Sequence, residues 1–562
     1  MGCMHDLVIR RGQIVDGTGA DPVVADIAID DGVITEVGDA GSARRVIDAD
    51  GLLVTPGFVD VHTHYDAQAM WDEQLGSSCW HGVTTAVIGN CGVGFAPVRP
   101  EHRPFLAKAM EGVEDISVAV LDEGLDWGWE TFTDYLDALD RRHRVMDVAA
   151  LLPHTPLRLY AMGERAFDGR NTPTPEELEA ITGLVRNALE AGAVGVATLR
   201  TQIHRTSDGD LMPTYCAGDD ELAAIVEGMR QANRGFFEVA ADYATDPQEV
   251  EFERFRRIAA VRPFTMPVTQ THTDPDDYCV LMDFITKANE DGLRMTAQAA
   301  IRPVARVLGL DSTSQFFAVC PSYQPFAGLP LAERIARLRD PAVKERIVAE
   351  ATAIPQRWDL EMIFPIDDKF TYEPDLDRSI GAQSRARGQR PFERIYDVLL
   401  ENGGQSFIFC PSRNFAGGTA EAVRDMLLSP YSVPGLGDGG AHATYICDMS
   451  FPTTLLAHWG RDRTRGELLP VPLLVRKHTL DSATLAGFTD RGVIAPGYRA
   501  DINVIDFDNL RVLSPTMAYD FPAGGRRLLQ RAEGYRYTVV AGEVTYVDGE
   551  HTGALPGRVV RG

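Results

Sequence analysis

Short apolar runs that alternate with helical segments constrain the fold of this chain more than any other feature. Helical patterns, such as residues 175–191, 220–233 and 278–291, lie between the runs. Continuous apolar strands separated by helices are typical of a parallel sheet covered by helices, and eight such strands predict a closed (β/α)8 TIM-like barrel. The alternative is an open doubly wound sheet, but no glycine-rich phosphate loop follows an early strand. The candidate strands are residues 54–63, 84–89, 148–152, 193–198, 236–240, 266–271, 294–299 and 433–437.

The two ends of the chain have a different texture. Residues 1–55 and 481–562 contain short strands separated by Asp-Gly turns, which are hairpin signals. Each end is too small for its own core, so we expect both to form one small β-sandwich domain beside a barrel of residues 56–480. Residues 303–430 exceed an ordinary loop between strand and helix, and they predict a helical insertion.

Composition excludes several classes of partner. The 562 residues carry a formal net charge of -27. Nucleic-acid binding requires a basic surface, so this acidic composition argues against a nucleic-acid partner. No apolar run is long enough for a membrane span. The eight cysteines are scattered without a CxxC pair, which favours a reducing compartment, so we expect a cytoplasmic protein. A small-molecule substrate is the expected partner, and assembly into a homo-oligomer stays open.

Two histidines at the end of the first candidate strand indicate a metal site. Asp60, His62 and His64 occupy alternate positions of a strand-like segment that begins with apolar residues, so their side chains project to one face. Two imidazoles on one face form half of a zinc-type ligand set. The alternative is a buried strand whose histidines are only hydrogen-bonded, which a lone histidine would favour more than a pair does.

Other polar residues follow later candidate strands. Cys91 ends the second strand, His272 the sixth and Asp438 the eighth. A barrel would bring these carboxyl ends together around one cavity. A carboxylate facing a metal can both ligate it and take a proton from water, so Asp438 is the candidate general base and acid.

Four segments resemble the amidohydrolase superfamily, and within it the D-aminoacylase (N-acyl-D-amino-acid deacylase) branch. They are the Val-Asp-x-His-x-His strand, the Gly-Asn-Cys-Gly-Val-Gly-Phe-Ala-Pro turn, the Asp-Gly-Gly-Ala-His strand end and residues 490–501. The resemblance implies one or two Zn²⁺ ions and the metal ligands His62, His64 and His272. It also implies that the Cys91 thiolate replaces the carboxylated lysine of other members, and that Asp438 is the catalytic aspartate.

One strand departs from the family pattern. The resemblance implies a metal-binding histidine on the fifth strand, but residues 235–242 contain none. Glu238 or Asp242 is a candidate oxygen ligand in its place, or the second metal position is weak or empty.

Five further side chains are candidates for substrate binding because they follow the third, fourth and eighth strands. An arginine among them would suit a substrate carboxylate through bidentate hydrogen bonds, although a structural salt bridge is an equal alternative. The five residues are His154, Arg200, His204, Arg205 and His442.

Together these features predict a metal-dependent hydrolase that cleaves the amide bond of an N-acyl-D-amino acid or a similar N-acyl substrate. The alternative is a metal-dependent hydrolase or C–C-cleaving enzyme that acts on a non-peptidic carbonyl substrate. A non-catalytic scaffold is a third hypothesis, since barrels can lose their chemistry and keep their shape. The intact set of His62, His64, Cys91, His272 and Asp438 argues against it.

Overall fold

Eight parallel strands form a barrel in the computed structural model, which describes residues 4–243, 246–355 and 358–562. Each strand pairs with the next one along the chain. A parallel bridge between Thr63 and Gly439 joins the first strand region to the last, and the His64 N–H donates to the Gly439 carbonyl over 2.7 Å. The predicted barrel is therefore confirmed. Its strands are Phe58–Asp60, Val83–Ile88, Asp147–Pro153, Gly195–Arg200, Phe236–Ala241, Phe264–Val268, Met295–Ala299 and Ser432–Pro434.

The first predicted strand is two strands in the structure. Leu53–Pro56 pairs with Ile502–Ile505 in a second sheet, and Phe58–Asp60 begins the barrel. Gly57 stands between them, where an added Cβ would lie 2.2 Å from the Thr84 hydroxyl oxygen. Only glycine lets the chain pass this close to the second barrel strand.

Helices cover the outside of the barrel. Pro175–Ala191 shows why the helical prediction succeeded: Thr174 and Glu177 form a capping box at its start, and Gly192 ends it with φ 119°. The α-helices are Arg103–Glu114, Val118–Gly124, Phe132–Asp140, His154–Met162, Pro175–Ala191, Asp219–Ala232, Gln248–Ala259, Asp277–Glu290, Leu331–Leu338, Pro341–Ala353, Ile380–Arg387, Pro391–Leu400, Glu421–Leu428, Phe451–Ala457, Val471–Arg476 and Ser482–Leu485. None of the helices in the described ranges combines the length and the apolar character needed to cross a membrane.

Both ends of the chain enter one nine-stranded sheet. Leu53–Pro56 and Ile502–Ile505 pair antiparallel and join the N-terminal strands to the C-terminal ones. Isoleucines and valines of the two halves share one buried cluster, which includes Ile9, Ile27 and Val539. The strands are His5–Ile14, Val23–Asp30, Val33–Gly38, Ala43–Asp48, Leu53–Pro56, Ile502–Ile505, Tyr535–Val540, Glu543–Val547 and Glu550–His551.

The insertion between the seventh and eighth barrel strands has its own apolar core. It contains the predicted helices Leu331–Leu338 and Pro391–Leu400. It also contains an antiparallel sheet of Val304–Leu308, Phe364–Pro365 and Ile408–Arg413, which the prediction of a helical insertion did not include.

A C-terminal hairpin reaches the end of the barrel that carries the histidines. Thr516–Phe521 pairs with Gly525–Leu529, and the Leu528 N–H donates to the Ala443 carbonyl over 2.6 Å. A smaller pair, Arg511–Val512 and Ala532–Glu533, lies at its base.

Candidate metal centre

His62, His64 and Cys91 meet at the carboxyl end of the barrel. One nitrogen from each imidazole and the Cys91 Sγ atom all lie within 4.8 Å of one another. Sγ is 3.5 Å from the His62 Nε2 atom. All three side chains are buried. Two imidazoles and a sulfur this close together form a donor set typical of zinc sites.

The two imidazoles are held so that one nitrogen of each faces a common carboxylate. The His62 Nδ1 atom lies 2.6 Å from the Gln298 side-chain oxygen, and the His64 Nδ1 atom lies 3.2 Å from a Glu114 oxygen. The Gln298 oxygen accepts from His62 Nδ1, which favours the tautomer that carries its proton there and leaves the Nε2 lone pair free. The Glu114 oxygen lies close to His64 Nδ1 without the geometry of a hydrogen bond. Both Nε2 atoms face Asp438 Oδ1, at 3.6 Å from His62 and 3.9 Å from His64.

A strained turn brings Cys91 to the cluster. Cys91 has φ 54°, between Gly89 with φ 84° and Gly92 with φ 64°. The Cys91 N–H donates to a Glu238 carboxylate oxygen over 3.1 Å. Positive φ at a residue other than glycine is uncommon, and such strain concentrates at functional sites.

Asp438 enters from a turn of the same kind after the eighth strand. Its φ is 49°, and its N–H donates to the His62 carbonyl over 3.0 Å. This hydrogen bond belongs to the closure of the barrel, so the Asp438 side chain is positioned by the same contact that joins the first and last strands.

Acidic groups crowd this site without any lysine or arginine to pair with them, as far as the described residues show. Burial raises the pKa of Asp60 to about 7 and of Glu238 to about 8, and it raises the pKa of Cys91, Glu114 and Asp438 well above their ordinary values. Buried anions are rare unless they are paired or bind a metal. A divalent cation would supply the missing charge and favour the deprotonated ligands, so these residues fit a metal ion.

Burial lowers the pKa of both histidines, which favours the neutral form that metal binding requires. It lowers the pKa of His62 to about 4 and the pKa of His64 well below its ordinary value. Both rings are therefore neutral at pH 7, and the neutral imidazole is the form that binds metals.

The structure does not bring the predicted ligand His272 into this cluster. The sixth strand ends at Val268, earlier than the sequence indicated. The following segment then turns toward the insertion, where Thr271 bridges to Arg413. His272 is half-buried there, and its electrostatic neighbours are Asp359 and Arg413.

The two candidate oxygen ligands of the fifth strand behave differently. Glu238 is fully buried, and its Oε1 atom has no hydrogen-bond partner among the described residues. Asp242 accepts hydrogen bonds from the Gln202 N–H over 2.6 Å and from the Thr201 hydroxyl over 3.0 Å, and it is not part of the cluster. Glu238 is thus the better placed of the two.

Three of the predicted substrate-binding residues are engaged elsewhere. Both ring nitrogens of His154 are bonded, to Thr198 at 2.7 Å and to Glu221 at 2.9 Å. Arg200 is buried and forms a salt bridge with Glu251 at 2.6 Å, as in the structural alternative to substrate binding. Arg205 is exposed and donates to the carbonyl of a neighbouring turn.

His204 and His442 do lie near the metal cluster. Burial is the main cause that lowers the pKa of His62, His64 and His442, and the charge of nearby His204 lowers each further. The His204 Nδ1 atom has no hydrogen-bond partner among the described residues. The His442 Nδ1 atom is 3.9 Å from the second oxygen of Glu114.

Sequence reasoning missed two residues that hold the histidines. Gln298 interrupts the apolar run Met295–Ala299, and a buried amide in such a strand was a usable signal. Glu114 ends the helix Arg103–Glu114, far from any motif, and no signal in the sequence pointed to it.

Comparisons with known proteins agree with this architecture. An uncharacterised protein of Mycobacterium tuberculosis is 28% identical over 538 residues, which cover 89% of this chain and 84% of the relative. The D-aminoacylase of Alcaligenes xylosoxydans xylosoxydans is 32% identical over 195 residues, which cover 34% of this chain and 37% of the relative. The structure of N-acyl-D-glutamate deacylase from Bordetella bronchiseptica, in complex with zinc and a phosphonate inhibitor, is similar in fold. Its TM-score is 0.65 with 23% identity, and the match covers 100% of both chains.

A family model also matches most of the chain. The model described as "Amidohydrolase family" matches residues 45–546, which include the barrel, the candidate metal centre and part of the sheet built from both chain ends. The resemblance predicted from the sequence motifs is confirmed, and this chain belongs to the amidohydrolase family.

Proposed function

We propose that this protein hydrolyses the amide bond of an N-acyl-D-amino acid, with a metal ion held by His62, His64, Cys91 and Asp438. The observation that carries the proposal is the convergence of these four side chains, with both His Nε2 atoms directed at one carboxylate oxygen. Membership of the amidohydrolase family supports metal-dependent hydrolysis of C–N bonds. The D-aminoacylase and deacylase relatives support the finer assignment to N-acyl-D-amino acids.

Zinc is the proposed ion. Imidazole, thiolate and carboxylate donors together suit zinc better than the hard cations magnesium or calcium. Glu238 offers a further buried oxygen that could ligate a metal. Its Oε1 atom has no hydrogen-bond partner among the described residues, and its Oε2 atom accepts from the Cys91 N–H. We propose Glu238 as the oxygen ligand that takes the place of the fifth-strand histidine, so the site has donors for one or two ions.

Asp438 is the proposed proton carrier. A bound zinc ion polarises a carbonyl and lowers the pKa of a water molecule. Asp438 Oδ1 faces both imidazoles, so its carboxylate can accept the proton of the attacking water and return it to the departing amine. His204 and His442 are the side chains proposed to meet the substrate, because each lies beside the cluster without being part of it.

The test is hydrolysis of a matched panel by the zinc-loaded protein. The panel contains N-acetyl-D-amino acids and their L enantiomers with acidic, aliphatic and aromatic side chains. We expect turnover of D substrates at least about 100-fold above their L enantiomers, since a pocket built around one configuration leaves the other misaligned. Equal turnover of both enantiomers would remove the D-amino-acid assignment and leave a general amidohydrolase.

The glutamate on the fifth strand supports a second candidate. Glu238 lies on the fifth strand, where the resemblance to D-aminoacylases implies a histidine, and a carboxylate in its place would change the charge of the site. A metal-dependent hydrolase or C–C-cleaving enzyme for a non-peptidic carbonyl substrate is therefore the alternative. Turnover of such substrates, with none of any N-acyl amino acid, would favour it.

A further inference from the structure

Glu114 is a buried carboxylate with two imidazoles as its polar neighbours. Its Oε1 atom lies 3.2 Å from the His64 Nδ1 atom and its Oε2 atom 3.9 Å from the His442 Nδ1 atom. The residue is 0% exposed, and neither oxygen accepts a hydrogen bond of good geometry from any described residue. It is the last residue of the helix Arg103–Glu114.

This position is unfavourable for a carboxylate by itself. Burial without a lysine or arginine partner destabilises an anion, and the carboxyl end of a helix repels negative charge because of the helix dipole. An apolar residue of similar size would be more stable here. The position of Glu114 therefore calls for an explanation in terms of what its oxygens contact.

We infer that Glu114 is a positioning residue that orients His64 for metal binding. The Glu114 oxygen 3.2 Å from the His64 Nδ1 atom favours a proton on that nitrogen by electrostatic attraction. The Nε2 atom then keeps its lone pair for a metal, and it lies 3.9 Å from Asp438 Oδ1. The neighbouring backbone reinforces the contact, since the Ala443 N–H donates to the Glu114 carbonyl over 3.0 Å. The inference rests on the proposed function only in requiring a metal ion at His64.

Three substitutions separate positioning from space filling. Glu114→Gln keeps an oxygen that can accept from His64, whereas Glu114→Met and Glu114→Leu keep bulk without an acceptor. Glu111→Gln is the matched control, because Glu111 lies one turn earlier on the same helix and accepts from the Val118 N–H instead.

The readout is the zinc dissociation constant, from competition with a chromophoric chelator, together with the free energy of unfolding of the metal-free protein. We expect Glu114→Met and Glu114→Leu to weaken zinc binding by about 10- to 100-fold. The Gln variant should stay within about threefold of wild type, and the Glu111→Gln variant should be unchanged. The metal-free Met and Leu variants should be at least as stable as wild type, because a buried unpaired carboxylate has been removed.

Equal zinc affinity of the Met and Gln variants would overturn the inference, since bulk alone would then explain the residue. If the Leu variant does not fold, the Met variant decides the question. Zinc affinity does not depend on which substrate is cleaved. The substrate panel can therefore contradict the proposed function while the zinc affinities of the Glu114 variants still support the inference. The zinc affinities can likewise contradict the inference while the substrate panel supports the proposed function.

Discussion

Gly92 is the residue whose replacement tests the construction of the metal centre most specifically. It follows Cys91 in the turn after the second barrel strand and has φ 64°. A Cβ atom at this position would lie 2.9 Å from the Thr198 Cα atom and 3.1 Å from the Ala197 carbonyl oxygen. These neighbours are backbone atoms of the fourth barrel strand, so they cannot move aside as a flexible side chain would.

Two effects add in Gly92→Ala. The left-handed backbone conformation destabilises alanine by about 1–2 kcal/mol. The contact with the fourth strand adds about 1–3 kcal/mol, as overpacking does in a dense core. We therefore expect the free energy of unfolding to fall by about 2–5 kcal/mol. Zinc binding should weaken as well, because the clash displaces the turn that places Cys91 Sγ 3.5 Å from His62 Nε2.

Gly417→Ala is the matched control. Gly417 has φ 65°, nearly the same as Gly92, but an added Cβ would meet nothing within 4 Å. Only the conformational effect remains, so the loss should be about 1–2 kcal/mol with zinc binding unchanged. Chemical denaturation and zinc titration of both variants measure the difference. Equal losses in the two variants, or unaltered zinc affinity in Gly92→Ala, would refute the reasoning.

Three further predictions follow from single side chains. Cys91→Ser should lower bound zinc and activity together, because a serine hydroxyl ligates zinc far less readily than a thiolate. The control Cys410→Ser, at another buried cysteine, should leave the zinc content intact. Metal analysis of both variants tests this prediction. Asp438→Asn should reduce turnover by about 10²- to 10⁴-fold with the fold unchanged, and near-native turnover would remove Asp438 from the mechanism. Burial raises the pKa of Glu373, but hydrogen bonds from His458, Arg463 and a backbone N–H outweigh it and lower the pKa to about 2. Its stabilising effect is thus present above pH 4.5 and lost as the pH falls toward 2. Glu373→Gln should therefore destabilise the protein by about 2–3 kcal/mol at pH 7, with the difference from wild type shrinking below pH 4.5 in denaturation curves.

The barrel could be predicted from the sequence because its strands are short apolar runs between capped helices. Strand boundaries were predicted less accurately where one apolar run contributes to two sheets, as at Gly57, where one predicted strand is two strands in the structure. The sixth strand shows the same weakness with a larger consequence. Residues 266–271 read as one strand, yet the strand ends at Val268 and the next segment pairs with the insertion. That early end is why His272 lies outside the cluster.

Some residues of the candidate site could be predicted from local motifs, and others depend on how distant elements pack. His62, His64 and Cys91 belong to local motifs at strand ends, and barrel geometry is enough to bring them together. Glu114 lies on a helix between the second and third strands, and its contact with His64 depends on how that helix packs over the barrel mouth. Arg200 is the last residue of the fourth strand, but its partner Glu251 lies on a later helix that the sequence did not connect to it.

The central claim is that a metal ion held by His62, His64, Cys91 and Asp438 is required for hydrolysis. The direct test is to titrate zinc into chelator-stripped protein and to follow bound zinc and hydrolysis of the best N-acyl-D-amino acid together. We expect negligible hydrolysis without zinc and a rate that rises in proportion to bound zinc until the site is full. The His62→Ala/His64→Ala double variant should bind no zinc at this site and show no activity. Full hydrolysis by the stripped protein, or by the stripped double variant, would contradict the account.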